Sequence, residues 1–155
     1  QFGGLSALSR QLVQALRHRS ATVAATDEPD AAAQAAAANR FAANVYIGFE
    51  AGLDAGATVH YYAVPQFESA GGRRLAEAIG AECATEVPSC TPAVAGMRLP
   101  VLRETRMPAV LMTLGDVQHA LDHAPDLVRA VVAALGLWSG ATGSSAGTGP
   151  SSTGT

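Results

Sequence analysis

The chain has no lysine. All ten of its basic residues are arginine, set against thirteen acids, for a net charge of −3. That balance, with no dense basic patch, argues against a nucleic-acid partner. Only two cysteines occur, Cys83 and Cys90, and their spacing fits no zinc motif. They either pair across Ala84–Ser89 or stay as thiols, so the redox compartment is open. No apolar run approaches the length of a membrane span. There is no GxxxxGK[ST] or GxGxxG loop to cradle phosphates and no GxSxG elbow, and the serines lie in loops and toward the C-terminus. P-loop and dinucleotide-binding signatures are thereby absent, and the serine placement argues against a Ser/His/Asp arrangement. The first residue is Gln1, and no secretory leader is read after it.

What is present is enough for one domain. A chain of 155 residues buries about 70% of its unfolded surface and needs no disulfide or metal to fold. Leu5, Leu8, Leu12 and Leu16 recur at helical spacing over 5–18, with Arg10, Gln14 and Arg17 on the other face. Ala21–Thr26 reads as a short β-like stretch around Val23. Asp27-Glu28-Pro29-Asp30 is a helix start, and the alanine-rich Ala31–Phe41 follows as a helix whose small side chains permit close packing on a sheet. Asn44–Glu50 and Thr58–Val64 read as strands, the second stopped by Pro65. Phe67–Ala84 reads as a helix and Thr85–Gly96 as a loop.

The centre of the pattern is Leu99–Asp116. It holds two apolar runs, both read as extended, Pro100–Arg103 and Ala109–Leu114, joined by the charged turn Glu104-Thr105-Arg106. Pro108 and Gly115 bound the second run, which reads as a strand buried on both faces. Asp116–His123 is a short helix, Asp126–Leu137 the last long one, and the Gly/Ser/Thr-rich 139–155 a disordered tail or linker. Strands alternating with helices predict an α/β fold: a mostly parallel, mixed central sheet with helices on both faces and one antiparallel edge.

Several side chains are candidates for chemistry. Thr113 is a hydroxyl near the end of the core strand, where open α/β sheets present their sites. Glu50 ends another strand, where a carboxylate can bind a metal or act as a base, or lie exposed at a loop mouth. His119 and His123 stand one helical turn apart and can share a metal. Spacing specifies no third ligand, so the pair reads first as a solvated polar helix face. His60 reads as a packed or edge histidine, and His18 as a cation at a helix C-terminus. Arg103 and Arg106 either pair with neighbouring acids such as Glu104 or hold an anionic group.

Three stretches carry a family resemblance. Ala38-Asn39-Arg40 through Asn44-Val-Tyr-Ile-Gly-Phe-Glu50 resembles the "ANR.GAD.F.SIHAN" segment of zinc-dependent N-acetylmuramoyl-L-alanine amidases of the AmiC-like class. Gly56-Ala-Thr-Val-His-Tyr-Tyr, followed by Ser69 and Leu75-Ala76, resembles that family's "GVE.YY" strand and "S..LA..I" helix. Leu102-Arg103-Glu-Thr-Arg-Met-Pro108-Ala-Val-Leu resembles "VLR.T.MPAVLVE.GF.SN" and is similar to the actinobacterial CwlM-like branch. The order holds over about residues 5–137.

The resemblance implies an amidase-like three-layer sandwich over 1–138, whose first strand would precede Gln1. It also implies peptidoglycan, its precursors or a cell-wall synthesis protein as partner. The compartment stays open between bacterial cell envelope and cytoplasm. The family's chemistry uses zinc held by His, Glu and His, with a catalytic Glu that moves the proton. In this chain the second His position is Glu50 and the catalytic Glu position is Thr113. A further family Asn falls on His119, and the acid after it on Asp122. The strand carrying the first His would lie before Gln1, and the Glu ligand has no clear equivalent in Gln1–Gly4. The expectation is therefore a degenerate domain with zinc absent or weakly held, retained for binding or regulation. The alternatives are a working amidase with ligands upstream or rearranged, and a structural module of a larger cell-wall protein.

Overall fold

In the computed structural model the described residues are 2–26, 30–52 and 56–144. The run between Pro108 and Gly115 forms a strand as expected. It is β5 of a sheet whose other strands are β1 (Tyr46–Ala51), β2 (Ala57–Val64), β3 (Phe67–Glu68) and β4 (Ala93–Met97). Strand β5 lies between β1, parallel to it, and β2, antiparallel to it. Strand β4 pairs parallel to β2 on the far side, and β3 closes a short hairpin onto β2. The sheet is mixed, as predicted. Its antiparallel joint, however, is central rather than at an edge, because β5 inserts between the two strands that follow one another in sequence.

Side chains alternate along β5. Val110, Met112 and Leu114 are buried in one cluster with Leu8, Leu75, Ile79 and Val131. They belong to the helices α1 (Phe2–His18), α3 (Ala70–Glu86) and α6 (Ala124–Ser144). Burying each of those three β5 side chains is worth roughly 1.5–3 kcal/mol before entropy is counted. On the other face Ala109 is buried with Val101 and Leu102, under α2 (Ala31–Phe41) and α4 (Pro100–Glu104). Leu111 and Thr113, farther along that face, are only half-buried. The strand is therefore fully covered on one face and half covered on the other.

Local chemistry sets most helix starts. Asp30 caps α2 through Oδ2, which accepts from the Ala33 N–H at 3.0 Å. The remaining residues of that predicted start, 27–29, lie outside the described residues. Ser69 caps α3 by accepting from the Gly72 N–H at 3.1 Å. A Cβ on Gly72 would stand 3.2 Å from the Ala109 carbonyl oxygen, so its glycine lets the helix begin against the β5 backbone. Asp116 caps the short α5 (Val117–Asp122). The last helix reaches Ser144, beyond the predicted Leu137, and 145–155 lie outside the described residues.

Three expectations are corrected. Ala21–Thr26 forms no strand: the Val23 carbonyl is taken by the Arg17 guanidinium at 3.1 Å, and no strand pairs with the segment. Pro100–Arg103 is a helical turn, not an extended run. Pro100 sits at its first position, and the Leu99 carbonyl accepts from the Leu102 and Arg103 N–H groups at 3.1 and 3.0 Å. The strand that precedes it is Ala93–Met97, hidden in the sequence because Ala-Val-Ala-Gly-Met at an exposed sheet edge lacks polar alternation. In addition, the alanine-rich α2 packs chiefly on α4 rather than on the strands.

Two resembling segments are tied by one side chain. Asn39 Nδ2 donates to the Glu104 carbonyl and Asn39 Oδ1 accepts from the Arg106 N–H, both at 2.9 Å. The amide thus fixes the turn that delivers Pro108 and β5 to the sheet. Asn39→Ala removes two bonds worth about 0.5–1.5 kcal/mol each and regains up to about 0.7 kcal/mol of helix propensity. A net loss near 1 kcal/mol is expected, read from the urea midpoint at unchanged m-value.

Candidate functional site

The uncovered half of the second sheet face carries a polar row. Glu50 of β1 stands opposite Thr113 of β5, and Thr113 opposite Thr58 of β2. One pleat back, Gly48, Leu111 and His60 form the neighbouring row. Residues diagonal across an antiparallel pair lie within reach of long side chains. His60 uses that reach, its Nε2 lying 3.3 Å from Thr113 Oγ1. Thr113 Oγ1 in turn donates to the Thr58 carbonyl at 3.5 Å.

The three groups form a directed chain. With the hydroxyl proton on Thr58 O, the oxygen accepts from His60 Nε2–H, and Nδ1 is the bare nitrogen. Nδ1 is buried and has no hydrogen-bond partner among the described residues. A buried acceptor left unpaired is cheaper than a buried N–H left unpaired, so this tautomer fits both ends. Burial lowers the His60 pKa below its usual value, opposed by the negative charge of Glu50. The imidazole is therefore neutral at pH 7 and a donor to Thr113. A hydroxyl that receives rather than surrenders a proton is not activated as a nucleophile.

Gly48 makes room for this arrangement. A Cβ there would stand 2.9 Å from Leu111 Cδ1 and 3.1 Å from the Tyr46 hydroxyl. That hydroxyl donates to Gln34 Oε1 at 2.7 Å, and burial raises its pKa. Tyr46 thus anchors α2 to the face beside the polar row.

The other sequence candidates lie elsewhere. His119 and His123 stack with ring centroids 4.3 Å apart on α5, which packs on α1 and α6 behind the opposite sheet face. His119 Nε2 is 3.3 Å from Ser89 Oγ, and His123 Nδ1 is 3.0 Å from the His119 carbonyl oxygen. Arg103 and Arg106 sit at the far end of β5, in the turn that Asn39 holds. Arg103 Nε and Nη2 both donate to Glu104 Oε1, at 3.1 and 2.8 Å. Cys83 is buried on α3 and the side chain of Cys90 lies outside the described ones. Glu50 and Thr113 are thus the two sequence candidates that stand side by side. His60 joins them, and the two-residue period from Thr58 together with antiparallel pairing was the signal that could have found it.

Among the described residues no three His, Cys, Asp or Glu side chains converge as a metal site would require. The row offers one carboxylate and one imidazole. That imidazole bonds Thr113 through one nitrogen and buries the other. Zinc sites use three or four nitrogen, sulfur or carboxylate ligands, and these residues do not meet that need. No described helix is long and apolar enough to cross a membrane.

No family model and no curated protein matches the chain in sequence. Solved structures do match. Ami1, an N-acetylmuramyl-L-alanine amidase from Mycobacterium smegmatis, superposes with a TM-score of 0.73 at 15% identity, over 91% of this chain and 77% of that one. The catalytic domain of CwlV from Bacillus (Paenibacillus) polymyxa var. colistinus gives 0.68 at 17%, over 83% and 79%. AmiC2 of Nostoc punctiforme gives 0.65 at 18%, over 82% and 77%. The chain therefore has the fold of N-acetylmuramoyl-L-alanine amidases, as the resemblance of its three segments implied.

Two measurements probe the polar row. Gly48→Ala forces Leu111 or Tyr46 aside and is expected to cost about 1–3 kcal/mol, read as a lowered thermal midpoint. Because the folded-state pKa of His60 is depressed, the unfolded chain takes up the proton first. The His60 contribution is then complete above about pH 6.5 and declines as pH falls through that value toward the folded-state pKa. Urea midpoints followed from about pH 7.5 to about pH 5 should drop more steeply for the native chain than for His60→Gln. Equal slopes would remove His60 as the cause.

Proposed function

We propose that this domain is a catalytically degenerate N-acetylmuramoyl-L-alanine amidase-like domain that acts by binding peptidoglycan or its precursors, or by regulating a protein of that pathway. The observation that carries the reading is the bond between Thr113 and His60 at the end of the central strand. The resemblance sets a proton-transferring carboxylate at Thr113 and a histidine ligand at Glu50. A hydroxyl that accepts from a neutral imidazole cannot take a proton from water at neutral pH. A carboxylate at Glu50 does not replace the imidazole ligand that the resemblance sets there. Zinc, on this reading, is absent or weakly held.

Peptidoglycan is supported as the partner by the fold and by the amidase activity that its structural neighbours' names state. If zinc were supplied with a full set of ligands, it would polarise the amide carbonyl and the attacking water. Among the described residues of the row, Glu50 is then the acid beside the reacting centre, with Thr113 as a neutral hydrogen-bonding group.

The test uses the chain with muropeptides and insoluble peptidoglycan. We expect well under one zinc per chain by elemental analysis, no release of stem peptide, and co-sedimentation with peptidoglycan or its soluble fragments. Stoichiometric zinc together with stem-peptide release would establish the working enzyme instead. If neither binding nor turnover occurs, the partner is a protein, and capture with cell-wall synthesis proteins is the next step. Thr113→Glu alone is expected to leave turnover at background, since Glu50 still stands where the resemblance sets an imidazole ligand. Activity gained by that single change would show that a competent metal site survives.

A further inference from the structure

The opposite end of the sheet carries a separate feature. Where β4 leaves the sheet and turns into α4, a cleft of about 180 Å³ opens between Arg98, Leu99, Pro100 and Arg103. It lies beyond the Ala109 end of β5. Thr113 is four residues farther along that strand, about 13 Å away at 3.3 Å per residue. The cleft therefore shares no residue with the polar row, and a ligand held there is independent of whatever that row binds.

The cleft has the composition of an anion site with an apolar floor. Arg98 is exposed and forms no hydrogen bond or ion pair with any described residue. Arg103 commits Nε and Nη2 to one oxygen of Glu104, which leaves Nη1 outside that bond and fixes the plane of the guanidinium. The backbone beneath is held by Pro100 at the first helical position and by Asn39 on the turn after it. Both cations are therefore carried by one short segment whose conformation is set before any ligand arrives.

We propose that this cleft binds a phosphate or diphosphate group, with Leu99 and Pro100 contacting the less polar part of the same ligand. Two guanidiniums around one opening suit a group with three or more acceptor oxygens splayed tetrahedrally, which both can reach at once. Arg103 already meets one carboxylate oxygen, Glu104 Oε1, through Nε and Nη2, so the ligand is reached by its Nη1 and by Arg98. The opening, about 180 Å³, has room for more than an oxyanion, and the part of a ligand beyond its phosphate would meet Leu99 and Pro100.

The experiment titrates the full chain in low salt with inorganic pyrophosphate and with inorganic phosphate, using succinate as the carboxylate comparison. Calorimetry gives affinity, and the arginine Nε–H resonances report the site. We expect one site per chain, shifted resonances for Arg98 and Arg103, and affinity that falls with added salt. Arg98→Ala and Arg103→Ala should each weaken binding on the order of tenfold, and the double variant should abolish it. Arg129→Ala, on α6 and paired with Glu86 and Asp126, should leave it unchanged. Binding of phosphate as tight as pyrophosphate assigns a terminal phosphate group; binding of pyrophosphate alone assigns a bridged diphosphate. The proposal is overturned by no binding at about 1 mM ligand, by binding that survives the double variant, or by succinate binding as tightly as pyrophosphate. Both arginines are exposed, so an unchanged thermal midpoint separates lost contact from lost fold.

Discussion

Val110, Met112 and Leu114 must leave water together, and the rest of the molecule is arranged by where they go. They lie on one side of a six-residue strand, so the two-residue period of a β-strand commits Ala109, Leu111 and Thr113 to the other side. Three helices cover the first face. On the second, α2 and α4 reach only as far as Ala109 and its neighbours. The sheet is thus fully packed on one side and open at one end of the other. The open end falls where β1, β5 and β2 bring Glu50, Thr113 and Thr58 into one row.

The open face is kept in register by polar contacts at long sequence separation. The Asn39 amide binds the turn before β5 from 65 residues away, and the Tyr46 hydroxyl binds Gln34 of α2. Neither contact is worth much in free energy. Their effect is geometric: they hold the entry to β5 at a fixed place, so that its other end meets β1 and β2 in a fixed pairing. The same clamp holds the turn that follows the Arg98–Arg103 segment. One amide therefore connects the framework of the two ends of the sheet.

At the open end, the Thr113 hydroxyl is accommodated by the neighbouring histidine. A carboxylate at Thr113 would face Glu50 across the strand pair and a buried, neutral imidazole diagonally. The hydroxyl removes one negative charge from that pair, accepts from His60 and donates to the Thr58 carbonyl. The result is a row joined by short-range hydrogen bonds, in which burial lowers the His60 pKa.

The limits of the core strand, α1, α2 and α5 were legible in the sequence, because prolines, glycines and capping acids act locally and the apolar period is strong there. The amidase-like arrangement was legible from three segments in order, as was the oddity of Thr113. Strand β4 was not, because an exposed edge of small apolar residues has no signature until a neighbour pairs with it. The turn at Pro100–Arg103 was read as extended because four residues cannot separate helix from strand by periodicity. His60 was a bland histidine in the sequence; only antiparallel pairing of β2 with β5 set it diagonal to Thr113. Burial then decided its charge. Local sequence settles which residues form the centre of the sheet and that a hydroxyl ends it. Which groups that hydroxyl meets is set in three dimensions, since pairing and desolvation come from neighbours that lie tens of residues away in the chain.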